Sequence, residues 1–98
     1  MNNATRDTPT EVRHDAAARR FATTVDGVDA FVDYERRGDA MVITHTRVPE
    51  AIGGRGVAGQ LVRAAFDEAR AQGWTVQPAC SYAAAWAERH PEVSDLLG

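Results

Sequence analysis

The stretch HTRVPEAIGGRGVAGQLV, His45 to Val62, changes character in its middle. It enters as a β-rich run closed by Pro49 and passes through Gly53, Gly54, Gly56 and Gly59. It leaves with apolar residues at helical spacing. A strand, a glycine loop and a helix, in that order, decide the fold. At such a helix start the free N–H groups and the positive end of the dipole favour an anion. Gly53, Gly54 and Gly56 let a bulky phosphate approach the backbone, and Arg55 adds a guanidinium suited to phosphate oxygens. The same residues also fit a strand-to-helix turn that needs φ > 0 and holds no ligand. Taken alone they leave both readings open.

Gly54, Gly56 and Gly59 spell G-x-G-x-x-G, yet the dinucleotide fingerprint is not met. That fingerprint follows a strand directly and needs an acid about 20 residues on to hold the ribose. Here Pro49 to Gly53 intervene after Val48, and the acid's place at the end of WTVQP carries Gln77 and Pro78. No Gly-Lys-Ser/Thr closes the loop, so it is not a P-loop either.

Working outward, RRFATTV and VDAFVDYER read as two strands joined by Asp26-Gly27, a strong hairpin signal. A turn at Gly38 leads into a third strand, Ala40 to Val48, giving an antiparallel three-stranded meander. After the glycines, Val57, Ala58, Leu61, Val62, Ala65, Phe66 and Ala69 form one apolar helix stripe, ended by Gly73. WTVQP is a short strand ended by Pro78. Ser81 then caps a second helix, YAAAWAERH, stopped before Pro91. The order β-β-β-α-β-α predicts an α+β fold, a mixed α/β sandwich with the long helix across one sheet face. Residues 1–11 are polar and are expected to be a disordered tail, leaving 12–98 as one domain.

Composition narrows the function. At 98 residues only one modest domain is expected. A net charge of −3 argues against a nucleic-acid binder, which needs a basic face. No apolar run approaches the ~18–20 residues of a membrane span, and the polar N-terminus is not a signal peptide. A single cysteine forms no internal disulfide, which fits a reducing cytoplasm. One Cys and three separated His make no metal cluster. His14 and His90 read as structural or surface residues, and Trp74 and Trp86 as core anchors.

RRFATTVDGVDAFVDYE, HTRVP, GGRGVAGQLV, PACSY and RHPEVSDLL, taken in order, resemble the GNAT-type N-acetyltransferases, and more narrowly their small single-domain branch of about 100 residues. The similarity covers nearly the whole expected domain. It implies that acetyl-CoA is the cosubstrate and an amine the acceptor. The family pattern Gln/Arg-x-x-Gly-x-Gly/Ala puts Gly54 and Gly56 on the small positions. Ala51 departs from the Gln/Arg position, with Arg55 a substitute. By the resemblance, the loop from Gly53 through Gly54, Arg55, Gly56 and Val57 to Ala58 holds the pyrophosphate. The pantetheine arm pairs along ITHTRV near Thr46 and Val48, admitted by a splay from the WTVQP strand.

Acetyl transfer to an amine needs a placed thioester, a base and a donor to the leaving thiolate. Larger relatives use a strand carboxylate and a tyrosine after the fifth strand. Tyr82 lies close to that tyrosine's place. MVITHTRV has no carboxylate, so His45, a side-chain type that titrates near neutrality, is the candidate base. Cys80, at a helix start that favours a thiolate, is the candidate for a ping-pong route through an acetyl-cysteine. Each has a structural alternative: a satisfied strand histidine, an amphipathic helix tyrosine, a small buried thiol. The second functional class is a CoA-binding module with little or no catalysis, favoured by the short chain, Ala51 and the missing carboxylate. A small basic amine or lysine-containing peptide is the acceptor class that the acidic balance faintly favours, and a second chain could complete a shallow acceptor site.

Overall fold

A computed structural model describes residues 10–98. The expected tail over 1–9 lies outside the described residues; Thr10 is docked, its N–H and hydroxyl both donating to Gln60 Oε1 (3.0 and 2.8 Å). The elements are β1 (Arg13–Asp15), β2 (Arg20–Val25), β3 (Val28–Arg37), β4 (Ala40–Arg47), α1 (Val57–Gln72), β5 (Thr75–Pro78) and α2 (Ser81–Glu88). Short 3-10 segments span Glu50–Ile52 and Pro91–Leu96. The sheet order is β1-β2-β3-β4-β5, antiparallel up to β4 and parallel between β4 and β5, with α1 as the crossover. The fold is the expected mixed α+β architecture.

Local chemistry explains most of it. Asp26 and Gly27 both adopt positive φ (51° and 76°), the signature of the tight hairpin turn between β2 and β3. Gly73 sits at φ 77° and its N–H reaches Ala69 and Arg70 carbonyls, closing α1. The α1 stripe buries Val57, Leu61, Val62, Ala65, Phe66 and Ala69 against Val32, Met41 and Ile43 of the sheet. Phe66 meets Trp86 of α2 with ring centroids 5.3 Å apart, so both helices join one core.

Three sequence expectations are corrected. The meander gains a fourth antiparallel strand, β1, whose Arg-His-Asp residues are all exposed and so carry no alternation. Pro78 ends β5 as expected, its last residue and paired with Ile43, a place an outer strand allows because no ladder N–H is needed there. The cap of α2 is Cys80 rather than Ser81: its sulfur accepts the Ala83 N–H at 3.4 Å. That helix ends at Glu88, and His90 starts the final 3-10 segment.

The C-terminal segment is tied to α1 by Arg63–Glu92 and by a two-pronged Arg70–Asp95 pair (2.9 and 3.0 Å). Hydrogen bonds from these arginines hold Glu92 and Asp95 below the usual carboxylate range. A lowered folded value means stability is present above the unfolded value and is lost as pH falls through the folded one. Stability is therefore expected to decline below about pH 4, and Arg70→Ala to shrink that decline. Unfolding midpoints of both proteins across acid pH check this; equal slopes would contradict it.

Candidate functional site

The site is built where β4 and β5 part. Their pairing ends at Ile43–Pro78, and the next two N–H groups, of Ala79 and Cys80, converge on the single Ile43 carbonyl (2.9 and 3.1 Å). From Thr44 onward β4 pairs with β3 alone, leaving a slot between the strands. A bulge coincides with this point. The β3–β4 register slips by one residue between Asp33–His45 and Tyr34–Ile43, making Thr44 the extra residue. Its hydroxyl donates to the Asp33 carbonyl at 3.2 Å. The slip turns Thr46 toward α2, where its hydroxyl and the Cys80 sulfur share a hydrogen bond of 3.3 Å.

The glycine loop follows. Buried Ile52 anchors the 3-10 turn, and the Gly53 N–H returns to the Glu50 carbonyl at 3.0 Å. Gly54 and Gly56 stand at φ 77° and 76°, backbone that only glycine adopts without strain. Gly56 caps α1 without a side-chain acceptor, so the first-turn N–H groups at Val57, Ala58 and Gly59 face an open hollow of about 270 Å³. Val48, Gly54, Gly56 and Tyr82 also line it. Arg55 turns away to Asp26 of the β2–β3 turn, at 2.6 Å.

Two further hollows adjoin this one. Between α1 and α2 runs a groove of about 620 Å³ lined by Gly56, Gly59, Arg63, Tyr82, Trp86 and Arg89. Gly59 lies at the closest point: a Cβ there would stand 3.4 Å from Trp86 Nε1 and 3.6 Å from the Tyr82 hydroxyl, ordinary contact distances that would fill the gap. Toward the opposite face of the sheet, Phe31, Asp33, His45, Thr46, Arg47 and Val48 line a hollow of about 500 Å³. Val48 belongs to both this hollow and the loop.

The structure thus gathers Thr46, Val48, Gly53, Gly54, Gly56, Val57 and Ala58 around slot and loop, with Cys80 on one wall and Tyr82 beside Gly59. His45 shares a hollow with Thr46 and Val48 but does not line those of the glycine loop and Tyr82. His45 is exposed on the other sheet face, its Nδ1 3.2 Å from the Thr44 hydroxyl. The neighbouring carboxylate, Asp33, is held by Arg20 at 2.6 and 3.0 Å. His14 and His90 have structural partners: His14 stacks on Phe21 and bonds the Tyr34 hydroxyl at 2.7 Å, while His90 Nδ1–H donates to the Trp86 carbonyl at 2.7 Å. No metal-holding cluster occurs among the described residues, nor is any helix there long and apolar enough to cross a membrane. Sequence reasoning gave Gly59 and Trp86 no site role. The available signal was a glycine inside a helix, a cost of about 1 kcal/mol that points to a close approach.

Residues 20–96 match the family model of the GCN5-related N-acetyl-transferases. The chain is 33% identical over 86 residues to protein NATD1 of Gallus gallus, covering 85% of this chain and 78% of that one. Against Homo sapiens NATD1 the identity is again 33%, over 85% and 76% of the two chains. A solution NMR structure of a GCN5-like protein from Staphylococcus aureus superposes with a TM-score of 0.73 at 24% identity, covering 90% of this chain and 87% of that one. With its slot, its uncapped glycine loop and a family match over most of its length, the chain belongs to the GCN5-related N-acetyl-transferases.

Proposed function

We propose that this chain transfers the acetyl group of acetyl-CoA to an amine, and that the group passes through Cys80. The observation that carries the reading is the uncapped first turn of α1 opening beside the β4–β5 slot, with the Cys80 thiol on the slot wall. The residues fit the donor. Free N–H groups from Gly56 to Gly59 suit the pyrophosphate, and the unpaired edge of β4 at Thr46 and Val48 suits the amide-bearing arm. The two hollows that share Gly56, Gly59 and Tyr82 give room for a phosphate centre and a nucleotide end. Thiolate attack on the donor's thioester carbonyl forms the acetyl-cysteine and expels the CoA thiolate, which takes up a proton. Attack by a neutral amine then forms the amide, releases the amine's proton to solvent and returns the Cys80 thiolate. Separation of His45 from Cys80 and Tyr82 favours this route over direct transfer by a His45–Tyr82 pair. A single half-buried free thiol fits a reducing compartment such as the cytoplasm.

The test is the intact mass of the protein after exposure to acetyl-CoA and acid quenching. One added acetyl group, absent in Cys80→Ser and discharged by an amine panel, is the expected result. Donor binding with neither adduct nor turnover would instead make the chain a CoA-binding module.

Gly59→Ala should separate stability from binding. The methyl meets ordinary contact distances and replaces a poor helix former, so stability is expected to rise by up to ~1 kcal/mol. The same methyl narrows the groove, so acetyl-CoA affinity is expected to fall several-fold. Thermal midpoints and calorimetric titration read the two effects; unchanged affinity would show that the ligand does not use this gap.

A further inference from the structure

We propose that Trp86 is a ligand-binding residue: its indole N–H donates a hydrogen bond to a phosphate oxygen of the bound nucleotide, in the α1–α2 groove beside Gly59. The inference rests on acetyl-CoA being the donor, and it assigns a contact that the strand–loop–helix pattern does not.

Trp86 is only 4% exposed. Its ring is packed by Phe66, by His90 stacked at 3.8 Å and by the Arg63 guanidinium 5.0 Å from the centroid. Its backbone carbonyl accepts from the His90 ring at 2.7 Å and from the Arg89 N–H at 3.1 Å. The indole N–H, by contrast, has no acceptor among the described residues. A donor that no protein group satisfies takes its acceptor from what occupies the space it faces.

The direction of the N–H identifies that space. Nε1 is the atom nearest to where a Gly59 Cβ would stand, so this edge of the indole faces the gap between the helices. That gap belongs to the 620 Å³ groove, which shares Gly56, Gly59 and Tyr82 with the phosphate loop. The charged groups lining the groove are Arg63, Arg89, Asp67 and, when protonated, His90. Arg63 is paired with Glu92, whereas the Arg89 side chain has no ion-pair partner among the described residues. A neutral donor and a guanidinium lining one groove suit an anionic oxygen. CoA offers two sources of one, the pyrophosphate and the ribose 3′-phosphate.

The chain has two tryptophans, so its two indole N–H resonances in a 15N-labelled sample are assigned by one substitution, Trp74→Phe. Trp74 stacks on Arg36, away from the groove, and serves as the internal control. On titration with CoA the Trp86 indole proton is expected to shift downfield while that of Trp74 stays. The same shift with dephospho-CoA assigns the pyrophosphate as acceptor; its loss assigns the 3′-phosphate. Trp86→Phe, which keeps an aromatic ring but removes the donor and part of the indole's volume, is expected to weaken CoA binding about tenfold. Amide shifts at Gly54 and Gly56 with an unmoved Trp86 indole would overturn this assignment and leave the donor reading standing. Unmoved glycine amides would overturn the donor reading and this one together. If Trp86→Phe does not fold, the indole shift in the unmodified chain decides.

Discussion

Replacing Cys80 by serine is expected to reduce acetyl transfer by more than about 100-fold, the residual rate coming from positioning alone. The fold should not suffer. Cys80 caps α2 through a long sulfur acceptor at 3.4 Å, and a serine oxygen is a better acceptor in that position. The unfolding midpoint is therefore expected to hold or rise, which separates the chemical loss from a structural one. Cys80→Ala is the complementary variant. It removes the cap as well as the nucleophile and should cost about 0.5–2 kcal/mol. Steady-state turnover and thermal midpoints on the three proteins decide the matter. Full turnover in the serine variant would end the acetyl-cysteine route and return the chemistry to direct attack on the bound thioester.

The largest loss of stability is expected at Phe66. It is fully buried, it faces the sheet from the middle of α1, and its ring meets Trp86. Truncation to alanine leaves a cavity that neither helix nor sheet can collapse to fill, at about 3–5 kcal/mol. That is a large share of the ~5–15 kcal/mol available to a domain of this size. Because Phe66 also supports the inner face of Trp86, the α1–α2 groove should loosen, so weakened CoA binding should accompany the lower midpoint. Chemical denaturation measures the first effect. A loss under ~1 kcal/mol would mean the core packs differently from the arrangement described here.

Much of this was legible in the chain because its causes are local. Asp26-Gly27 demanded two positive φ values, the stripe from Val57 to Ala69 demanded a helix with one buried face, and Gly54 and Gly56 demanded a left-handed loop. Each requirement lies within a few residues of its cause. What the sequence concealed is set by partners far along the chain. The three residues of β1 carry no apolar signal, since only pairing with β2 makes them a strand. The bulge at Thr44 arises from register with β3, and that single extra residue sends His45 to one face and Thr46 to the other. His45, the nearest titratable residue in a strand without a carboxylate, therefore faces away from Cys80. Arg55, read as a phosphate ligand, is engaged 29 residues away by Asp26. The capping role of Cys80 was hidden because serine at 81 is the stronger local signal.

The claim on which the rest depends is that the glycine loop binds acetyl-CoA. Its most direct test is the thermal unfolding midpoint with acetyl-CoA, with NADH and ATP as comparators. A ligand at about 100 times its dissociation constant stabilises by ~2.7 kcal/mol, and each kcal/mol moves the midpoint of a domain this size by about 4–8 °C. A rise of that order with acetyl-CoA and none with NADH is the expected result. A rise with NADH instead, or no rise with any of the three, would contradict it.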